Sequence, residues 1–244
     1  MTSLTKTFYL QAGEGTPQRN MPLGLLFARC IEIATDHANT LGIGFEHLIE
    51  SGHTWVLSRM SVQILRLPGV NEPYSITTWI ESINRSFSER MFAITDAQGS
   101  VCAYVRSTWV VLNIQSRTLG DISAIITRPD ALISDRTIPM APARRQRPLP
   151  ADAPEIYGHT FKYCDLDSNL HVNTVRYVEL LLNAFSPEFH ASHPIGRLDV
   201  AFQRECHYGE HSSLAAIESP DGTYEAEIRV DGEPRVRFTM KLNS

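Results

Sequence analysis

Four prolines and three arginines crowd the run Ile138-Pro139-Met140-Ala141-Pro142-Ala143-Arg144-Arg145-Gln146-Arg147-Pro148-Leu149-Pro150. Proline has no N–H to give to a helix or a strand ladder, so a stretch this rich in it stays extended and irregular. The regular structure of this 244-residue chain must therefore form on either side of it. We read residues 138–155 as a linker between an amino-terminal half, 1–137, and a carboxy-terminal half, 156–244.

Both halves show a helical pattern first and strands after it. In the first, Leu26, Cys30 and Ile33 recur at helical spacing and predict a helix over Leu23 to Asn39, with a shorter one at Phe45 to Glu50. Strand patterns follow at Trp55 to Arg66, stopped by Pro68-Gly69, and at Pro73 to Ile83, with Tyr74, Ile76 and Ile80 on one face. Arg90 to Thr95 turns through Asp96-Ala97-Gln98-Gly99 into Val101 to Leu112. In the second half, His171 to Phe185 predicts a helix with Val175, Val178, Leu181 and Leu182 as its stripe and Ser186-Pro187 as its stop. Leu198 to His207 is the next strand. Tyr224, Ala226, Ile228 and Val230 then alternate with polar residues, as do Val236, Phe238, Met240 and Leu242 beyond the Asp231-Gly232 turn. That is an antiparallel hairpin with one wet face. Helices segregated from antiparallel strands place the chain in the α+β class.

Several kinds of protein are excluded. Cys30, Cys102, Cys164 and Cys206 are scattered and form no C-x-x-C pair, which rules out a disulfide scaffold or zinc ribbon and suits a reducing compartment. No apolar run reaches the roughly 18 residues of a membrane span. Met1 to Gln11 lacks the order of a secretory signal, so a cytoplasmic location is expected and no membrane partner. A net charge of -5 argues against a nucleic-acid binder. His37, His47, His53, His190 and His193 are read as structural or exposed, without metal-motif spacing, and there is no Gly-rich phosphate loop. Neither a metal nor another cofactor is expected.

The segment that stands apart is Asp165-Leu166-Asp167-Ser168-Asn169-Leu170-His171-Val172-Asn173, just ahead of the second long helix. Asp and Asn are preferred helix caps, so Asn169 or Asp167 could serve there. Capping accounts for one such residue or two, but not for a histidine and two asparagines. Asp167, Asn169 and His171 alternate, so in an extended loop they project to one side. An amide and an imidazole can donate to a carbonyl oxygen, a carboxylate can take a proton from water, and a helix N-terminus favours a developing oxyanion.

The run from Asp165 through His171-Val172-Asn173 to Tyr177 resembles the signature of the acyl-acyl-carrier-protein thioesterases of plants and bacteria. Arg204-Glu205-Cys206 is similar to that family's Arg-Glu-Cys element. Trp55-Val56-Leu57-Ser58-Arg59, Thr78-Trp79-Ile80 and Phe87-Ser88-Glu89-Arg90 match its amino-terminal half, so that the resemblance runs from about Thr7 to Lys241. It implies two hotdog-like halves in tandem, each a long helix wrapped by a curved antiparallel sheet. It also implies hydrolysis of the thioester between a fatty acyl chain and acyl carrier protein, whose phosphopantetheine arm carries the acyl group. Catalysis is expected in the second half and the acyl tail in the first, where Leu26, Ile33, Met60, Ile64, Trp79 and Phe92 are candidates that ordinary core packing also explains. Asn169 and His171 would hold and polarise the thioester carbonyl, Glu205 would activate or position the attacking group, and Asp167 would attack or orient the others. Plant members carry a transit peptide that this chain lacks, which favours a bacterial cytoplasmic enzyme.

Glu205 and Cys206 are neighbours, so on a regular strand they face opposite sides. Cys206 then shares a side with Leu198, Val200 and Phe202 and reads as packed, unless a bulge breaks the alternation. Arg144, Arg145 and Arg147, or Lys162 and Arg176, are candidate docks for an acidic carrier. Rival readings are a hotdog thioesterase acting on coenzyme A esters, a dehydratase, or an acyl-binding protein without catalysis. A homodimer is left open.

Overall fold

The computed structural model describes residues 2–126, 129–143 and 145–243, and the chain divides into two units. One comprises Met1–Met21 and Leu26–Pro142, the other Pro22–Leu25 and Ala143–Ser244. Arg144 lies outside the described residues.

Through Ile126 the chain forms β1 (Ser3–Tyr9), α1 (Leu23–Thr40), α2 (Phe45–Glu50), β2 (His53–Ile64), β3 (Pro73–Ile83), β4 (Phe87–Asp96), β5 (Val101–Asn113) and α3 (Ile122–Ile125). The five strands are ordered β1-β3-β4-β5-β2, and every neighbouring pair is antiparallel. The apolar spacing of α1 buries Leu26, Phe27, Cys30 and Ile33 completely. The same face ends in His37, whose Nδ1 lies 2.8 Å from the Arg90 guanidinium of β4. Burial lowers the Arg90 pKa to about 10. The six tail candidates are all buried, yet Trp79 belongs to a separate cluster with Met91, Ile138 and Met140.

The remaining elements are β6 (Glu155–Thr160), α4 (Thr174–Asn183), α5 (Pro187–Ser192), β7 (Ile195–Phe202), β8 (His211–Glu218), β9 (Thr223–Val230) and β10 (Glu233–Leu242). Their strand order is β7-β10-β9-β8-β6, again antiparallel throughout. Asp231 and Gly232 both take positive φ, 52° and 77°, which is what a two-residue hairpin turn requires. Ala226, Ile228 and Val230 of β9 and Val236, Phe238 and Met240 of β10 are buried on one side.

On the opposite side, Glu227 is buried between two guanidiniums, Arg229 at 2.9 Å and Arg237 at 2.6 Å. Its Oε1 also accepts the backbone N–H of Leu149 at 3.1 Å, while Arg229 donates to the carbonyl of Pro150 at 2.9 Å. Leu149 and Ala153 pack on Ala215 of β8. The described residues of the proline-rich stretch form no helix or strand, and the stretch is tied to the sheet as a strap.

Four expectations for the second half need correction. The helix starts at Thr174 rather than His171, because Asn173 caps it, with Oδ1 accepting Val175 N–H at 3.0 Å. Its buried residues are Tyr177, Val178, Leu180 and Leu181, whereas Val175 and Leu182 are only partly buried. Ser186-Pro187 ends one helix but also begins α5: the Ser186 hydroxyl accepts Phe189 N–H, and proline at the first position forfeits no hydrogen bond. The strand expected to run to His207 stops at Phe202. Among the described residues no helix is long and apolar enough to cross a membrane.

Candidate active site

The loop ahead of α4 is a tight turn rather than an extended segment. Asp167 N–H donates to the His171 carbonyl at 2.8 Å and Leu170 N–H to the Asp167 carbonyl at 3.1 Å. Leu170 takes φ 63° to close it. Alternation therefore does not set the directions of Asp167, Asn169 and His171. The Asp167 carboxylate turns inward on the loop, where Oδ1 accepts the backbone N–H of Asn169 at 2.8 Å and of His171 at 3.2 Å. Asn169 is exposed on the turn.

His171 leaves the turn in extended form. It makes an antiparallel bridge with His207, and Val172 N–H donates to the Cys206 carbonyl at 2.8 Å. That pairing brings Glu205 alongside. Its Oε1 lies 3.7 Å from His171 Nε2, with the two side chains 37% and 32% exposed. This is too long for a direct hydrogen bond and suits a small polar group bonded to both.

Glu205 is not on a strand. Past Phe202 the N–H groups of Gln203 and Arg204 both reach the Arg235 carbonyl, so two residues oppose one and the alternation is lost. Strand alternation therefore does not set the side on which Cys206 lies. Cys206 is nonetheless fully buried, and its backbone N–H donates to the Tyr177 hydroxyl at 3.0 Å. Burial pushes its thiol up to about 11 and pushes the Tyr177 phenol up as well. A thiol so placed is a poor source of thiolate at neutral pH.

Two residues that sequence reasoning did not assign complete the frame. Tyr177 anchors the segment holding Glu205 to α4; its signal was the place of a tyrosine one position from the apolar stripe. His207 packs edge-to-face on His171, with ring centroids 5.2 Å apart, and its backbone N–H donates to the Glu210 carboxylate at 2.8 Å. Nothing in the spacing marked it, because the contact depends on the irregular backbone after Phe202. On the other flank, Asp165 accepts from Lys162 N–H at 2.7 Å and lies 2.9 Å from His159 Nε2. Burial opposes its ionisation, but these hydrogen bonds win and hold the carboxyl below its usual value. Among the described residues no cluster of three His, Cys, Asp or Glu could hold a metal ion.

An acid and an imidazole 3.7 Å apart, each about one-third exposed and beside a turn that carries an amide, can together bind and polarise a small polar group. The chain belongs to the acyl-ACP thioesterase family: the model of the family's N-terminal domain matches residues 2–129 and that of its C-terminal domain residues 150–238. It is 26% identical over 230 residues to a chloroplastic acyl-[acyl-carrier-protein] hydrolase of Cuphea viscosissima, covering 88% of this chain and 55% of that protein. It is 27% identical over 219 residues to a chloroplastic oleoyl-acyl carrier protein thioesterase of Coriandrum sativum, covering 81% of this chain and 58% of that one. The chain thus spans somewhat more than half the length of these curated relatives. The crystal structure of an acyl-ACP thioesterase from Bacteroides thetaiotaomicron superposes with a TM-score of 0.93 at 27% identity, covering 99% of this chain and 98% of that one.

Proposed function

We propose that this chain hydrolyses fatty acyl–acyl carrier protein thioesters, releasing the free acid and the carrier. The observation that carries the proposal is the 3.7 Å separation of His171 Nε2 and Glu205 Oε1, in a chain matched by both domain models of the family. In this reading the units are tandem hotdog halves, supported by a helix and five antiparallel strands in each. Residues 1–137 supply the acyl pocket, residues 138–155 connect, and residues 156–244 hold the reacting groups.

A thioester is already an activated acyl donor, so a base for water and donors for the oxyanion suffice. Glu205 takes a proton from water as the water oxygen attacks the carbonyl carbon. His171, with the amide of Asn169, donates to the oxygen that becomes negative. The carbon–sulfur bond then breaks, and the pantetheine thiolate leaves and takes up a proton. Asp167 orients rather than attacks, because its Oδ1 already holds two backbone N–H groups of the turn.

The test is kcat/KM over acyl carrier thioesters of several chain lengths, with the same acyl groups on coenzyme A for comparison. His171→Ala and Glu205→Ala should each lower kcat by about 10²–10⁴-fold while the variants stay folded. Full activity in either removes that residue from the site. Hydrolysis of coenzyme A esters alone would assign the chain a different substrate, and failure on every thioester would make it an acyl-binding protein.

A further inference from the structure

The geometry points to Leu170, Tyr208 and Tyr163 as the surface that receives the protein part of the acyl carrier. This rests on the reading of His171 and Glu205 as the reacting pair. Among the described residues these are the three most exposed large hydrophobic side chains, at 72%, 64% and 84%. All three sit on the loops that build the site. Leu170 immediately precedes His171, and the antiparallel His171–His207 bridge sets Leu170 opposite Tyr208. The Tyr208–Gly209 turn is tied down by Gly209 N–H to the Phe161 carbonyl and Phe161 N–H to the Glu210 carbonyl, both 3.0 Å. Tyr163 opens the 3-10 turn Tyr163–Asp165 two residues after Phe161, and the Asp165 carboxylate fixes that turn through Lys162 N–H.

The backbone therefore holds these apolar groups outward on a rigid frame. Leu170 is the telling case. Its φ of 63° suits glycine or asparagine and strains a residue with a branched side chain, and the exposed isobutyl group returns no burial to the fold. The turn accounts for the φ, but not for a large apolar side chain at its exposed tip, and we take that choice of residue as a pointer to a contact. The partner that must meet it is the protein bearing the thioester, because the patch borders the reacting pair directly. Exposed Lys162, next to Tyr163, gives the patch a positive edge for an acidic partner.

The experiment measures KM and kcat with an acyl carrier thioester and with the same acyl group on coenzyme A, which shares the pantetheine arm and lacks the protein. Tyr163→Ser with Tyr208→Ser should raise KM for the carrier substrate by about tenfold, as removal of apolar anchors does at interfaces, and by much less for the coenzyme A ester. Leu170→Gly should raise Tm by relieving strain and still raise KM for the carrier substrate. Equal effects on both substrates would mean that the patch reads the arm, and would overturn the proposal. Unchanged KM in every variant, or a lower Tm in Leu170→Gly, would overturn it as well. His171→Ala separates the two levels: if it is fully active the site reading fails, and if it is inactive while the patch variants keep wild-type KM only this inference fails.

Discussion

Tyr177→Phe isolates the bond that fixes the segment carrying Glu205. The substitution keeps the ring and removes one oxygen, which accepts Cys206 N–H at 3.0 Å. Cys206 is fully buried, so its N–H is left without a partner at a cost of about 1–3 kcal/mol. For a chain of this size each kcal/mol lowers Tm by about 2–4 °C, giving a fall of about 2–12 °C. Activity should suffer separately. Cys206 lies between Glu205 and His207, and its carbonyl accepts Val172 N–H at 2.8 Å, so one residue sets the register of Glu205 and His171 together. A shift of about 1 Å in such a pair costs on the order of 10²-fold in rate. The assay is thermal unfolding beside kcat on an acyl carrier thioester, with kcat expected to fall more than KM changes. A lowered Tm with wild-type kcat would refute the claim that this bond aligns the site. No change in either would show that the bond contributes nothing.

Cys206→Ala should retain activity within a few fold, since the buried thiol, its pKa raised to about 11, does not supply a nucleophile; loss of turnover with an intact fold would reinstate it. Asp167→Asn keeps an acceptor oxygen for the N–H groups of Asn169 and His171 and should retain most of kcat, whereas Asp167→Ala should lose about tenfold or more through disorder of the turn. If Asp167→Asn is as inactive as Glu205→Ala, the Asp167 carboxylate takes part in the chemistry itself.

Elements whose apolar period was uninterrupted were legible in the residues alone. Phe45–Glu50 and Pro73–Ile83 form with the bounds read from the sequence, and the β9–β10 hairpin follows its alternation and its Asp-Gly turn. β8 went unread although Leu214, Ala215 and Ala216 are buried in it, because both of its faces are covered and no polar alternation remains to mark it. The site divided along the same line. His171 stands out within its polar segment, whereas Glu205 is marked only by the family resemblance; the structure places the two 3.7 Å apart. Their directions were not legible, because the loop before His171 closes as a turn and the backbone at Glu205 is no longer a regular strand. A positive φ at Leu170 and two N–H groups sharing the Arg235 carbonyl are outcomes of three-dimensional pairing, and local spacing carries no trace of them.

The strap also bears on how this protein can be dissected. Composition invites a cut that discards residues 138–155 and keeps a fragment beginning at residue 156. Such a fragment would lose Leu149 and Pro150, the groups that close over Glu227 and Arg229. A buried acid and its two guanidiniums would then meet water on one side, and Ala215 would lose its apolar cover. A piece that keeps that ion cluster covered must include Leu149 and Pro150, and one that starts ahead of Gln146 also keeps the bond from its amide to the Asp199 carbonyl of β7.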